Sequence, residues 1–200
     1  MIFTINPKNK FGISYLAFWE DFLTQEDINK IISYPEWDNL KQASIGNSGK
    51  NIVDEKIRST KLNFLPLRQD TLDIYEKISS VITEVNNRFF NFDITALYEN
   101  IQLGLYSAEE NGHYDWHVDY NVGDTNVVPR KLSMALLLND PSEFEGGKFK
   151  IKTNSDIEQD LELKKGRAWF FPSWTLHKVT PVTKGVRKSL VVWVGGPSFK

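Results

Sequence analysis

His117-Val118-Asp119 and, well downstream, His177 supply two imidazoles and one carboxylate. Held on one face of an ion, that set leaves the opposite face open, which suits Fe(II) in oxygen chemistry. His113-Tyr114-Asp115 has the same spacing just upstream. On a strand, residues i and i+2 share a face, so alternation places His113, Asp115, His117 and Asp119 together and leaves two candidate pairs. Arg187 follows His177 by ten positions. Its planar guanidinium can form two parallel hydrogen bonds to a carboxylate. The chain has no cysteine, which excludes disulfides and thiolate ligands.

These residues need elements to carry them. Ile13 to Trp19 is apolar and aromatic and reads as a strand. Thr24 can cap a helix with Glu26 and Asp27 in its first turn, and Pro35 ends it. Leu72 to Phe90 carries apolar residues in steps of three and four, which predicts an amphipathic helix against one face of a sheet. Asn39 to Asp54 is polar with Gly46, Ser48 and Gly49, and reads as a loop with room for a weak strand, either an exposed connection or a substrate lid.

From Glu99 the period changes to two. Ile101 to Tyr106, Lys131 to Asn139, Lys148 to Lys152, Asp160 to Leu163, Arg167 to Phe171, His177 to Pro181 and Lys188 to Val194 read as strands. Gly146-Gly147, Gly166, Pro172 and Gly185 punctuate them. Strands in series at this spacing predict a mainly β fold with supporting helices, a sandwich or jelly roll. The expected organisation is one domain over 1–200, with residues 1–98 as a helical and strand buttress and 99–196 as the catalytic core. Tyr120 to Arg130 reads as a flap after the H-x-D.

Two hundred residues suit one domain with a full core. The formal net charge of −2 gives no bulk attraction to nucleic acid or to an anionic membrane. The N-terminus lacks the pattern of a signal peptide, and no apolar run approaches the ~20 residues of a membrane span. Together with the absence of cysteine, this predicts a soluble cytoplasmic protein without a membrane partner.

The segments GHYDWHVDY (Gly112 to Tyr120), KLSMALLLND (Lys131 to Asp140), FEGGKFKI (Phe144 to Ile151) and HKVTPVTKGVRKSLVVW (His177 to Trp193) occur in a telling order. With IRSTKLNFL (Ile57 to Leu65), they resemble the Fe(II)- and 2-oxoglutarate-dependent dioxygenases, and among them the prolyl 4-hydroxylase-like group. The resemblance implies a double-stranded β-helix core and selects His117, Asp119 and His177 as catalytic iron ligands over His113. It implies Arg187 as the clamp on the distal carboxylate of 2-oxoglutarate, with the Ser189 hydroxyl beside it and Tyr106 lining the pocket. Collagen-type prolyl hydroxylases usually carry lysine at the position of Arg187. O2 is the co-reactant, and ascorbate is a further candidate.

The implied reaction decarboxylates 2-oxoglutarate to succinate and CO2 and hydroxylates an unactivated C–H bond. Asp119 favours hydroxylation, because related halogenases replace that carboxylate with a small residue. Nucleic-acid demethylases of the superfamily have a second arginine six positions after the first, where this chain has Trp193, so no nucleic-acid partner is expected. Arg58 matches an arginine that faces bound peptide, and Trp116, Tyr120 and Trp174 flank the ligands as an aromatic surface for proline. The expected substrate is a prolyl residue of a peptide or protein. The alternatives are a free amino acid or small metabolite, or an inert jelly-roll binding module. Glu145-Gly146-Gly147 is read as a turn before a core strand, with no ligand role.

Overall fold

The computed structural model describes residues 14–47, 50–120, 127–152 and 157–198. The tip of the polar loop at 48–49 and most of the Tyr120 to Arg130 flap, like the N-terminal residues, lie outside the described residues. The first half of the chain runs β1 (Ala17–Trp19), α1 (Gln25–Ser33), β2 (Lys41–Gln42), β3 (Ile45–Asn47), β4 (Lys50–Ile52), β5 (Arg58–Ser59), β6 (Lys61–Leu65) and α2 (Leu72–Val85). There follow β7 (Ile101–Ser107), β8 (His113–His117), β9 (Arg130–Leu137), β10 (Phe144–Gly146), β11 (Phe149–Lys152) and β12 (Glu158–Leu161). The chain closes with β13 (Ala168–Pro172), β14 (His177–Val179) and β15 (Val182–Gly195).

The strands form two main sheets. The major sheet has the order β1-β13-β9-β15-β7-β6-β2, with β10 pairing off β15, and the minor sheet has the order β12-β11-β14-β8-β5. Every neighbouring pair is antiparallel. This is a double-stranded β-helix, the jelly roll expected from the spacing. No helix among the described residues is long and apolar enough to cross a membrane.

Strand alternation sorts the major sheet's side chains into two layers. Ile101 and Leu103 of β7, Leu132, Met134 and Leu136 of β9 and Leu190, Val192 and Val194 of β15 pack against Ile28, Ile31, Ile74, Ile78, Val81 and Val85 of the helices. Tyr106, Leu137 and Phe171 face the other way and meet Phe149, Ile151, Leu161 and Val179 of the minor sheet. Each buried Leu or Ile contributes about 1.5–3 kcal/mol relative to exposure. Two such layers fix the register, because a one-residue slip would turn every apolar side chain to the wrong face.

The helices follow their sequence signals with one change. Thr24 Oγ1 accepts from Asp27 N at 3.1 Å and Thr24 N donates to Asp27 Oδ2 at 2.7 Å, a capping box worth about 1 kcal/mol. Lys77 on α2 holds the same carboxylate at 2.6 Å and locks the helices together. The helix expected to reach Phe90 stays α-helical only to Val85 and ends in a π turn over Asn86–Phe90. The Asn86 side chain accepts from Phe92 N and donates to Phe92 O, both at 3.0 Å, drawing the chain back on itself.

Residues 39–54, read as a loop with room for a weak strand, contain the short two-stranded hairpin β3–β4. One other element differs from the expectation. β15 starts at Val182, ahead of the expected Lys188, because Gly185 does not end the strand. Its φ of +70 lets the backbone pass Glu143 O, which an added Cβ would meet at 2.1 Å, and so keep pairing with β10.

Candidate active site

His117 ends β8 and His177 opens β14, and the two are cross-strand partners at one edge of the barrel mouth. Asp119 lies just past the end of β8. Its position therefore does not come from strand alternation. Asp119 N donates to Ser173 O at 2.8 Å, and Tyr120 N donates to the same oxygen at 2.9 Å. One ligand atom from each of His117, Asp119 and His177 falls within 4.8 Å of the others. His177 Nε2 lies 3.6 Å from Asp119 Oδ2, and His117 Nε2 lies 3.9 Å from Oδ1.

The histidines are oriented by their own chain. His117 Nδ1 donates to Asp115 O at 2.7 Å and His177 Nδ1 to Thr175 O at 2.8 Å. A carbonyl only accepts, so Nδ1 carries the proton and Nε2 keeps its lone pair for an ion. Burial, with His177 beside it, pulls the His117 pKa down to about 3, against the pull of Asp119, so this ring is neutral at ordinary pH. Burial works to raise Asp119, yet the two histidines and the Ser133 hydroxyl outweigh it and hold the carboxyl below its usual range.

The backbone brings one of the two H-x-D pairs to His177. The register between β14 and β8 shifts, pairing His177 with His117 but Val179 with Tyr114. The irregularity brings Tyr114 onto the face of His117, where regular alternation would have brought Asp115. The Tyr114 and His117 rings stack with centroids 3.4 Å apart. His113 instead has Nδ1 on Asn111 O at 2.8 Å and Nε2 on Lys56 O at 3.1 Å, so both nitrogens face main-chain carbonyls.

Deeper in the barrel, Arg187 is 4% exposed. Its Nε has no hydrogen-bond partner, and no carboxylate among the described residues pairs with it. Burial lowers its pKa and Tyr106, whose ring centroid is 5.2 Å from Cζ, opposes that shift. Ser189 lies on the same face of β15, opposite Gly104, whose missing Cβ would stand 3.1 Å from the Ser189 hydroxyl. Gly147 makes room for the arginine stem, since a Cβ there would meet Arg187 Cδ at 3.0 Å.

A buried cation without a counter-charge is costly and calls for an anionic partner. A dicarboxylate is one class of ligand with such a charge. The two imidazoles and one carboxylate, with an open side, fit Fe(II).

The remaining expected residues divide. Arg58, 7% exposed, lies over Tyr114 with Cζ 4.3 Å from the ring centroid, and its Nη2 makes a long 3.4 Å contact to Gln102 Oε1. Trp174 is 40% exposed near the mouth and packs 5.3 Å from Phe92. Trp116 sits 4.5 Å from Lys178 Nζ and 5.0 Å from Lys152 Nζ. Alternation puts Lys178 on the face of β14 opposite His177, so Trp116 is carried away from the triad.

Sequence reasoning passed over Ser133, Ser173 and Arg130. Ser133 donates to Asp119 Oδ2 at 2.8 Å. Arg130 stacks 3.8 Å over Trp193, pairs with Glu99 and reaches Asp119 O at 3.4 Å. A polar residue on the inner register of the apolar strand KLSMALLL was the available signal for Ser133. Nothing local marks Ser173.

Comparison with known proteins agrees with this geometry. Residues 101–195 match the family model described as the 2OG-Fe(II) oxygenase superfamily. A PKHD-type hydroxylase of Aliarcobacter butzleri is 29% identical over 161 residues, covering 78% of this chain and 70% of the relative. One from Psychrobacter sp. is 32% identical over 152 residues, covering 73% and 57%. The chain thus spans 70% and 57% of the length of these two relatives.

Among solved structures, a Pseudomonas putida prolyl-4-hydroxylase superposes with a TM-score of 0.69 at 18% identity, covering 92% of this chain and 94% of that one. A Trichoplax adhaerens prolyl hydroxylase, in complex with a hypoxia inducible factor oxygen degradation domain peptide fragment, gives 0.73 at 15% identity, covering 91% and 84%. At these identities the structures speak for the fold.

Proposed function

We propose that this chain, which belongs to the 2OG-Fe(II) oxygenase superfamily, hydroxylates an unactivated C–H bond of a prolyl residue in a peptide or protein, consuming 2-oxoglutarate and O2. The observation that carries the reaction class is Arg187, a buried uncompensated cation on the inner wall of a barrel whose mouth holds His117, Asp119 and His177. Overall, substrate, 2-oxoglutarate and O2 become hydroxylated substrate, succinate and CO2. Fe(II), when bound, supplies the activation of O2 and of the 2-oxo acid.

The chain's own residues do the rest. His117 and His177 present Nε2 lone pairs, each fixed by a carbonyl behind the ring. Arg187 and Ser189 take the distal carboxylate and set how deep the cosubstrate lies. Tyr106, Phe149, Phe171 and Val179 exclude water around it, which strengthens every charge interaction inside. Ascorbate would act only to restore the reduced metal.

A peptide substrate is supported by the approach to the mouth. Arg58 presents a guanidinium with little internal satisfaction, 4.3 Å over the tyrosine that backs His117. The hairpin β3–β4 leads directly into the strand that carries Arg58. Similarity to the PKHD-type hydroxylases, and the peptide bound to the Trichoplax protein, point the same way.

The test is succinate formation from 2-oxoglutarate by the Fe(II)-loaded chain with a panel of proline-containing peptides, read with mass spectrometry for a gain of one oxygen on proline. Succinate formed in proportion to hydroxyproline supports the assignment. Robust turnover with a free amino acid and none with any peptide would replace it with the small-metabolite reading. No turnover under any condition, with metal bound, would leave an inert binding module.

A further inference from the structure

Behind Asp119 lie two serines, Ser133 and Ser173, both fully buried. The Ser133 hydroxyl donates to Asp119 Oδ2 at 2.8 Å, and its oxygen lies 3.0 Å from the Ser173 hydroxyl. A serine hydroxyl has a single proton to give. With the Ser133 proton committed to the carboxylate, Ser173 must be the donor in the second bond. The direction is fixed: Ser173 to Ser133 to Asp119.

Ser173 is also tied in through its backbone. Its carbonyl accepts from both Asp119 N and Tyr120 N, and its own N–H donates to Lys131 O at 3.0 Å. It opens the short turn that delivers His177, a turn closed by Thr175 N donating to Pro172 O at 2.8 Å. One residue therefore joins the segment that carries Asp119 to the segment that carries His177.

We propose that Ser173 and Ser133 form a positioning pair that commits one oxygen of Asp119, so that the carboxylate ligates through a single oxygen. The proposal rests on the reading of His117, Asp119 and His177 as an Fe(II) site. A carboxylate free to rotate can chelate with both oxygens and occupy a further position on the ion. With Asp119 taking a single position, an Fe(II) held by His117, Asp119 and His177 would keep more of its positions free for the cosubstrate. A charge-assisted bond from a buried hydroxyl is strong enough to hold that choice, and a second hydroxyl behind it polarises the first.

The experiment titrates Co(II), as a spectroscopic stand-in for Fe(II), into the full chain and into Ser133→Ala, Ser133→Thr and Ser173→Ala. Affinity is read by chelator competition, geometry by the visible absorption spectrum, and folding by metal-free melting. Loss of a group that orients a ligand typically costs about 10–100-fold in metal affinity. Ser133→Ala is expected to show that loss with an altered Co(II) spectrum, Ser133→Thr to keep the wild-type affinity and spectrum, and Ser173→Ala to show a smaller loss in the same direction.

A purely structural pair would lower the metal-free melting temperature and leave affinity and spectrum alone, which would overturn the proposal. If Ser133→Ala fails to fold, Ser173→Ala decides by the same readouts. Wild-type chain that binds no Co(II) would instead overturn the metal-site reading itself.

Discussion

Tyr114 lies flat against His117, with ring centroids 3.4 Å apart and planes 12° from parallel. That stack exists because the register shifts between β8 and β14, the strands that carry His117 and His177. It buttresses one imidazole from behind, and with one face of Tyr114 taken by His117, Arg58 covers the other. The mouth of the barrel is thus a layered arrangement of guanidinium, phenol and imidazole.

The assignment of His117, Asp119 and His177 as iron ligands is the first point to check. His117→Ala, Asp119→Ala and His177→Ala should each bring Fe(II)-dependent succinate formation to background and greatly weaken metal binding. His113→Ala should keep both near the wild-type level, because its nitrogens face Asn111 O and Lys56 O. A dead His113→Ala beside an active His117→Ala would reverse the assignment.

Arg187→Ala should raise the KM for 2-oxoglutarate and leave metal binding nearly intact. Truncating one side of a buried, hydrogen-bonded charge pair costs on the order of 2–5 kcal/mol. Arg187→Lys should fall between, since the charge survives and the planar fork does not. Saturation curves for 2-oxoglutarate decide it, and an unchanged KM in the alanine variant would sink the clamp.

Arg58→Ala should weaken peptide-coupled turnover and leave uncoupled 2-oxoglutarate decarboxylation close to wild type. Removing Gly46 to Lys50 from the hairpin should act in the same direction. Coupled and uncoupled rates measured side by side separate substrate contact from general damage, which would lower both.

Asp27→Asn should cost about 0.5–1 kcal/mol at neutral pH, since the amide keeps part of the cap and loses the charge facing Lys77. Burial disfavours the Asp27 carboxylate, but Lys77 and Thr24 outweigh it and depress its folded pKa. The contribution is therefore full above the unfolded value of about 3.9 and is lost as the pH falls through the lower folded value. Urea melts of the two proteins should differ by a constant amount at pH 5–7 and converge at more acid pH. A gap that widens in acid would contradict the sign.

The periodicities, and the residue types they carry, were legible in the chain alone. The change of period near Glu99 marked a β core, and steps of three and four marked α2. H-x-D with a distal histidine gave the donor types for a metal, and alternation put Arg187 and Ser189 on one face of a strand. Such patterns are legible because helix and strand each impose a fixed spacing on side chains that share a face.

Which H-x-D faces His177 depends on the folded sheets, because a register shift between strands distant in sequence breaks the alternation that the local spacing implies. The same pairing turned Trp116 outward onto Lys178 and brought Arg130 over Trp193. It also set Ser133 and Ser173 behind Asp119, whose place depends on the Ser173 carbonyl, since the strand has already ended. These are contacts between segments that meet only after two sheets have closed, and a linear spacing rule carries no information about which residues stand opposite one another across that closure.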